Sequence, residues 1–574
     1  MKRLFDLLKL YTRPDFWPIL TVIVAALLAG RGLMGEGYFN MHDDLQMMRQ
    51  LEMEKCFLDL QIPCRWVPDM GYGFGYPLFN YYPPLPYLVG QGIRLLGFAF
   101  TDTAKILFIL SFVVSGLTMY MLAKEFFGRI AGTLSAVFYI WAPYHAVDVY
   151  VRGAMNESWG LMWFPLILWS GYRLIIEKKN NHYWILVLSL SWFALFTSHN
   201  LMVLIFGPVF ALWLMLWMFV TKNWNKIPQL ALAGIWSFGV AAFFTLPVFM
   251  EKGIVQTNTL VKGYYEYTAH FVSIPQLFTS RFWGYGPSVW NTTDDGMPFQ
   301  IGWPLWGTAV LVGIFILLRL YKAKKIDPVL LPTIYMLLIG GFATFMTHNK
   351  STPIWQAIKP LEFVQFPWRF LTITILGLSF SVGYIESVAP KALKAGLVSL
   401  LIAFAIGYSF NYFKPEHGKL GPLTDNQKFT AAAWDLQQTA GIYDYLPNTA
   451  KTAPKAPQVH LAEIVKGEGV VTTAIQGTDW GIVKLDLAED SMIRLGILQF
   501  PDWQVRVDGV LVNDYVSEDE QWGRIYFDAP KGEHTVEINL KSTPPRTIGN
   551  VVSTLSWLLV LGSVVELKQK KKVS

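Results

Sequence analysis

The chain has 574 residues, of which 53% are hydrophobic, 16% aromatic and only 15% charged. Soluble domains carry about 25% charged residues, so a water-soluble globular enzyme is excluded. The net charge of +6 is not a nucleic-acid signal, because the basic residues fall in short runs beside apolar segments, and no nucleic-acid partner is expected.

Apolar windows long enough to cross a hydrocarbon core about 30 Å thick recur along the chain. They lie at 16–34, 104–123, 130–145, 159–176, 183–198, 201–220, 228–249, 301–320, 328–347, 370–384, 395–410 and 551–565, which makes about twelve spans. The first follows Lys2, Arg3, Lys9 and Arg13 and lacks a small-residue cleavage site, so it reads as a first helix that is retained. Alternating the spans gathers the basic connections on one side: Lys124/Arg129, Arg173/Lys178/Lys179, Lys222/Lys226, Arg319/Lys322/Lys324/Lys325, Lys391/Lys394 and Lys568/Lys570/Lys571/Lys572. That side is cytoplasmic by the positive-inside rule, with both termini on it. The segment 84–96 is apolar but short; it reads as an interfacial helix with Tyr81, Tyr82 and Tyr87 at headgroup level.

The outer face then receives the long loops: 35–103, a short loop at 148–157, 251–300, 347–369 and the stretch from 411 to 550. From Gln458 onward, VVTTAIQG, WGIVKLDL, SMIRLGIL, WQVRVDGVLV, GRIYFDA and HTVEINL alternate as strands with turn signals between them, predicting a small all-β sandwich outside the membrane. The expected organisation is a helical polytopic domain over 1–411 whose first external loop, 35–103, carries the site. A β-rich extracytoplasmic domain follows over 412–550, then a final helix and basic tail over 551–574.

Ionisable groups with chemical potential all fall on that outer face. His42, Asp43 and Asp44 follow the first span directly. If 41–55 is helical, His42, Gln46 and Arg49 share one stripe, and Asp43 and Asp44 point about 100° apart; either acid could instead cap that helix. Arg152 and Glu157, in VRGAMNES, form a pair able to bind a phosphate and position an acid, or a surface ion pair of little worth. His199, in FTSHNL, reads either as a substrate contact or as a hydrogen-bonding turn residue. Arg369, in QFPWRF, offers a bidentate grip on a phosphate or a snorkelling side chain. The aromatic run from Trp66 through Tyr72, Phe74, Tyr76 and Phe79 to Tyr81 and Tyr82 suits sugar stacking or an interfacial belt. Cys56 and Cys64, eight apart, are a disulfide candidate or two thiols. Asn156-Glu-Ser and Asn291-Thr-Thr match the glycosylation pattern, which matters only in a eukaryotic secretory setting.

Taken together, HDD at 42–44, the PPLPY stretch and the basic loop after Ala123 resemble the GT-C class of membrane glycosyltransferases, which includes protein O-mannosyltransferases, oligosaccharyltransferase catalytic subunits and aminoarabinose transferases. HDDLQMMR, RWVPDMGYGFGYPLFNYYPPLPY, VRGAMNES, TSHN, QFPWRF and YDYLP resemble more closely a bacterial membrane family labelled "6-pyruvoyl-tetrahydropterin synthase-related". FPDWQVRVDGV and KGEHTVEINL resemble the external β-domain of YfhO-type membrane proteins. Pterin synthase chemistry needs a zinc-binding His cluster, and the nine His here are scattered.

The GT-C resemblance implies inverting transfer of a sugar from a polyprenyl-phosphate donor to a glycan, lipid or protein acceptor on the outer face. It implies Asp43 as the catalytic acid or base with Asp44 beside it, and Glu157 as a further carboxylate. His42, Arg49, Arg152, His199, Arg369, Tyr81 and Tyr82 would be substrate contacts. A divalent cation, Mg or Mn, would sit at Asp43 and Asp44 if anywhere, and the sequence lacks a second acidic metal motif. Two other readings stand beside it: a transporter or flippase for a lipid-linked glycan, and a non-catalytic envelope assembly protein. The spans are nearly free of charge, whereas transporters place ionisable groups near the bilayer midplane, which favours the enzyme. Acceptor or glycan binding is the expected role of the β-domain.

Overall fold

A computed structural model describes residues 13–179, 181–288, 296–323, 329–416 and 423–573. Lys2, Arg3, Lys9, Asn291, Lys324 and Lys325 lie outside the described residues, as do the side chains of Lys570, Lys571 and Lys572. The chain divides into two compact units, one of Met1–Asp44, Thr101–Ser237 and Gly263–Leu423, the other of Leu45–Phe100, Phe238–Lys262 and Thr424–Ser574.

Among the described residues nine helices are long and apolar enough to span a membrane, and this is an integral multi-pass membrane protein. A tenth span results if Leu330–Met346 and Asn349–Ala357, bent by 95°, count as one. The two remaining expected spans differ. Asn181–Ser198 is helical, but Asn181, His182, Ser189, Ser191 and Thr197 leave it less apolar than the nine. The window 130–145 is not one helix: Arg129–Ile140 has 12 residues, about 18 Å at 1.5 Å per residue. It stops because Pro143 lacks an N–H and holds Ala142 extended, at φ −61° and ψ 132°. A short helix, Pro143–Ala146, and a π-turn, Val147–Val151, follow. At the centre of this first unit stands Leu371–Val382, all 12 of whose residues are buried.

The second unit is built on eight strands: β1 (Ala462–Lys466), β2 (Gly469–Gln476), β3 (Trp480–Leu487), β4 (Ser491–Leu498), β5 (Trp503–Val507), β6 (Val510–Leu511), β7 (Arg524–Ala529) and β8 (Gly532–Leu540). They pair antiparallel in two sheets, in the orders β1-β4-β7 and β2-β3-β8-β5-β6. Alternate residues of both sheets, such as Ile493, Leu495, Ile525 and Phe527 against Val483, Leu485, Val505, Val536 and Ile538, meet in one buried core, as in a sandwich. The six expected segments are all strands, and β1 is an addition. The last helix, Pro544–Val573, begins earlier than the expected 551.

The first loop supplies part of that core. Trp66, Phe74 and Tyr81 are buried in it, Trp66 against Phe500 at 5.6 Å and Trp503 at 5.5 Å, and Tyr81 stacked on Tyr445 at 5.4 Å. Gly75, at φ +84°, is required where the Trp66 indole passes: a Cβ there would stand 2.3 Å from its Nε1. Tyr81 also donates to Glu251 O at 2.9 Å and is 4% exposed, so it is a core residue rather than a headgroup or sugar contact. The helix Leu85–Arg94, with 10 residues, is too short to cross a bilayer. Cys56 and Cys64 are joined by a disulfide.

Candidate active site

Neither Asp43 nor Asp44 is helical. The helix opens at Gln46 with Leu45 in the N-cap position, so the expected stripe of His42, Gln46 and Arg49 does not form. Instead the backbone of the HDD motif pairs with the segment where the π-turn ends: His42 N–H donates to Val151 O at 3.1 Å, and Asp43 N–H to Arg152 O at 2.8 Å. Gly153, at φ +59°, makes room for this segment, since a Cβ would meet Met41 Sδ at 2.1 Å. The His42 imidazole reaches Tyr285 O at 2.9 Å.

The broken third helix and the π-turn aim polar side chains inward. Four charges gather in the first unit, with Asp148 and Glu157 at 0% and 1% side-chain exposure and Arg152 and Arg369 at 8% and 11%. Arg152 Nη1 lies 2.5 Å from Asp148 Oδ1 and 2.8 Å from Glu157 Oε2. Arg369 Nε lies 3.2 Å from the same Glu157 Oε2, and its Nη1 donates to Val364 O and Gln365 Oε1. Tyr144 donates to Glu157 Oε1 at 2.8 Å, and the Arg152 guanidinium lies over the Trp368 ring at 4.4 Å. Among the described residues Nη2 of Arg152 and Nη2 of Arg369 enter no hydrogen bond, which leaves each guanidinium a donor edge.

Burial and the nearby Glu157 carboxylate push the Asp148 carboxyl up, against the pull of Arg152. His199 caps the helix Asn200–Thr221: its Nδ1 accepts from Leu201 N–H at 3.1 Å, which assigns the ring proton to Nε2. Burial, and then the Arg369 charge, push this imidazole down to about 3, while the fields of Glu157 and Asp43 oppose the shift. His199 is therefore neutral at physiological pH, with Nε2–H as a donor rather than a base.

Of the residues singled out in the sequence, this arrangement assembles His42, Asp43, Arg152, Glu157, His199 and Arg369 in the first unit. Asp44 adjoins Asp43 in the turn. Arg49, Tyr81 and Tyr82 belong to the second unit, where the Arg49 guanidinium lies over the Tyr82 ring at 4.1 Å. Glu157, expected as a catalytic carboxylate, has both oxygens engaged, by Tyr144 and by the two Arg. Sequence reasoning missed Asp148, Tyr144, Gln365 and Trp368. An Asp four residues before Arg152 was a usable signal, since one helical turn brings i and i+4 together.

Among the described residues no group of three or more His, Cys, Asp or Glu side chains is placed to hold a metal ion. Asp148 and Glu157 already carry guanidinium groups where a cation would need to sit, so this donor set does not fit a divalent ion.

No family model matches the chain, and no curated protein sequence does. Solved structures of GT-C glycosyltransferases are similar to it at low identity. ArnT from Cupriavidus metallidurans bound to undecaprenyl phosphate is 15% identical, over 69% of this chain and 64% of its own, with a TM-score of 0.40. The Archaeoglobus fulgidus oligosaccharyltransferase in the apo form is 10% identical, over 78% and 62%, with a TM-score of 0.44. The mycobacterial arabinofuranosyltransferase AftD is 13% identical, over 69% and 26%, with a TM-score of 0.39. The chain thus spans less than two thirds of the length of each. A structure of the Archaeoglobus enzyme is also known in complex with Zn and sulfate.

Proposed function

We propose that this protein is an inverting membrane glycosyltransferase that moves a sugar from a polyprenyl-phosphate donor to an acceptor on the outer face of the membrane. The observation that carries the reading is the buried cluster of Asp148, Arg152, Glu157 and Arg369 beside Asp43 and His199. Burying four charges costs more than an apolar core would, so a function is the usual reason to keep them. Guanidinium groups held flat by carboxylates, each with a donor edge left over, match the planar geometry of a phosphate monoester.

In this reading Asp43 takes the proton of the acceptor hydroxyl as its oxygen attacks the sugar anomeric carbon. The carbon–oxygen bond to the phosphate breaks, and its electron pair stays on the leaving phosphate. Arg152 and Arg369 stabilise the charge that develops there. Glu157 is a positioning residue that fixes both guanidinium groups, and His199 Nε2–H donates to the donor or acceptor. Asp44 supports the turn that carries Asp43. The chain residues supply the charge stabilisation without a resident cation at Glu157.

The test is transfer from radiolabelled polyprenyl-phosphate sugars to membrane acceptors. Asp43→Asn should lower transfer by about 10²–10⁴-fold, the usual share of a general base, with the thermal midpoint of the purified protein unchanged. Transfer retained in that variant would overturn the assignment of Asp43. No transfer by the wild type across the sugar panel would shift the reading to a flippase, measured next as glycolipid movement across vesicles.

A further inference from the structure

A cavity of about 250 Å³ opens on the three-stranded sheet of the β-sandwich, in the second unit. Its walls are the rings of Phe74 and Trp522, whose centroids are 5.6 Å apart in an edge-to-face arrangement. Glu463, Arg494, Arg524 and His460 supply its polar groups. The cavity follows from sheet register. Glu463 pairs with Arg494, and Arg494 with Tyr526, so their side chains form a row on the face away from the buried core. The β4–β7 ladder then slips between Arg494 and Leu498, and this irregularity opens the sheet at Leu495 and Gly496.

Each cation in the cavity is already neutralised. Arg494 pairs with Glu463, and Arg524 makes two 3.0 Å bonds to the carboxylate of Glu520 while its guanidinium lies 4.5 Å over the Trp522 ring. A free anion would meet two paired guanidinium groups here and the carboxylate of Glu463. A neutral polyol fits better: its hydroxyls can accept from the Arg N–H groups and donate to Glu463, and its C–H face can lie on an indole ring. The volume falls below the 300–1,000 Å³ typical of drug-sized ligands, which suits a single sugar ring.

We propose that this cavity is a saccharide subsite that holds one neutral sugar residue of a glycan, stacked on Trp522 and hydrogen-bonded by Glu463 and Arg494. The subsite requires neither donor lipid nor transfer, so it stands or falls separately from the transferase reading. Phe74 is the one ring of the first-loop aromatic run that lines it.

The experiment is saturation-transfer difference NMR on the full chain in nanodiscs, with methyl glycosides of the common hexoses and N-acetylhexosamines as probes and inorganic phosphate as competitor. Saturation should reach the ring C–H protons of at least one glycoside, and phosphate should not displace it. Trp522→Ala should weaken binding about tenfold, as loss of an aromatic contact does, and Trp522→Tyr should retain most of it. The half-exposed pair tested as Glu463→Gln with Arg494→Gln leaves the sandwich core untouched and should weaken binding as well. No transfer to any glycoside, displacement by phosphate, or equal signals in wild type, Trp522→Ala and the Glu463/Arg494 double variant would each overturn the proposal.

Discussion

Two buried clusters of charge use the same side chains to different ends. In the second unit Glu251, 3% exposed, accepts from Asn80 Nδ2 at 2.8 Å, Arg546 Nε at 3.0 Å and Thr543 Oγ1. Arg65 there donates to Asn80 Oδ1, Phe243 O and Asn550 Oδ1. Burial, and then the charge of Arg546, pull Arg65 down to about 10. The side chains of this network bond to one another and to backbone carbonyls, and Arg546 Nη2, which has no hydrogen-bond partner among the described residues, is sealed from solvent. In the first unit Glu157 is just as buried, yet the two Arg it anchors each keep a donor edge that no protein group takes up among the described residues. A closed network ties distant chain segments together; one with donors to spare can also take a ligand, as proposed above for the first unit.

The largest effect that would test this contrast is on stability. Glu251→Ala leaves Arg546 and Arg65 buried without their carboxylate and should cost about 3–5 kcal/mol, read as a lowered thermal midpoint and a poor yield of folded protein in detergent. A Glu251→Ala protein with native stability and lost activity would reverse the roles assigned to the two clusters. Next in size, Arg369→Ala should reduce donor use by about 10²–10³-fold, the scale for loss of one transition-state donor, and Arg369→Lys should recover only part because it lacks the planar fork. Equal rates in the Ala and Lys variants would argue against a phosphate grip.

The smallest effect is a pH signature of His199. Its folded pKa lies below the unfolded value of about 6.5, so its stabilising contribution is complete above that pH and declines as the pH falls toward 3. His199→Asn preserves a capping side chain and removes the titration, so its stability should fall less steeply than that of the wild type between those limits. Parallel acid limbs for the two proteins would show that His199 does not titrate in this way.

How much of this was legible follows from the range of each signal. Strands β2 to β8 announced themselves by alternation, a local property, whereas β1 is five residues with Glu463 and Lys466 in it and escaped notice. The polar motifs of the first unit were visible one by one, because acids and Arg stand out in an apolar chain. Asp148 did not stand out as a partner, since the window 130–145 read as one helix and its break at Pro143 places that carboxyl beside Arg152. The burial of much of the aromatic run was not legible because its partners are remote: nothing near Trp66 in sequence indicates Phe500 or Trp503. Tyr81 likewise resembled a membrane-interface residue until Tyr445 stacked on it.

That remoteness also sets a timetable for biogenesis. Tyr76 receives the Tyr445 N–H across 369 positions of chain, and Trp66 and Phe74 wait equally for the strands that will cover them. At synthesis rates of about 5–20 residues per second, the first loop emerges roughly 20–70 s before its partners exist. During that interval its rings lie bare outside the ribosome while the intervening helices are inserted. The Cys56–Cys64 link, which joins residues eight apart, needs none of the later chain and can close first. It gives the waiting loop a local shape on which the sandwich is later completed, and it makes the isolated β-strands, cut from that loop, a poor choice for a soluble fragment.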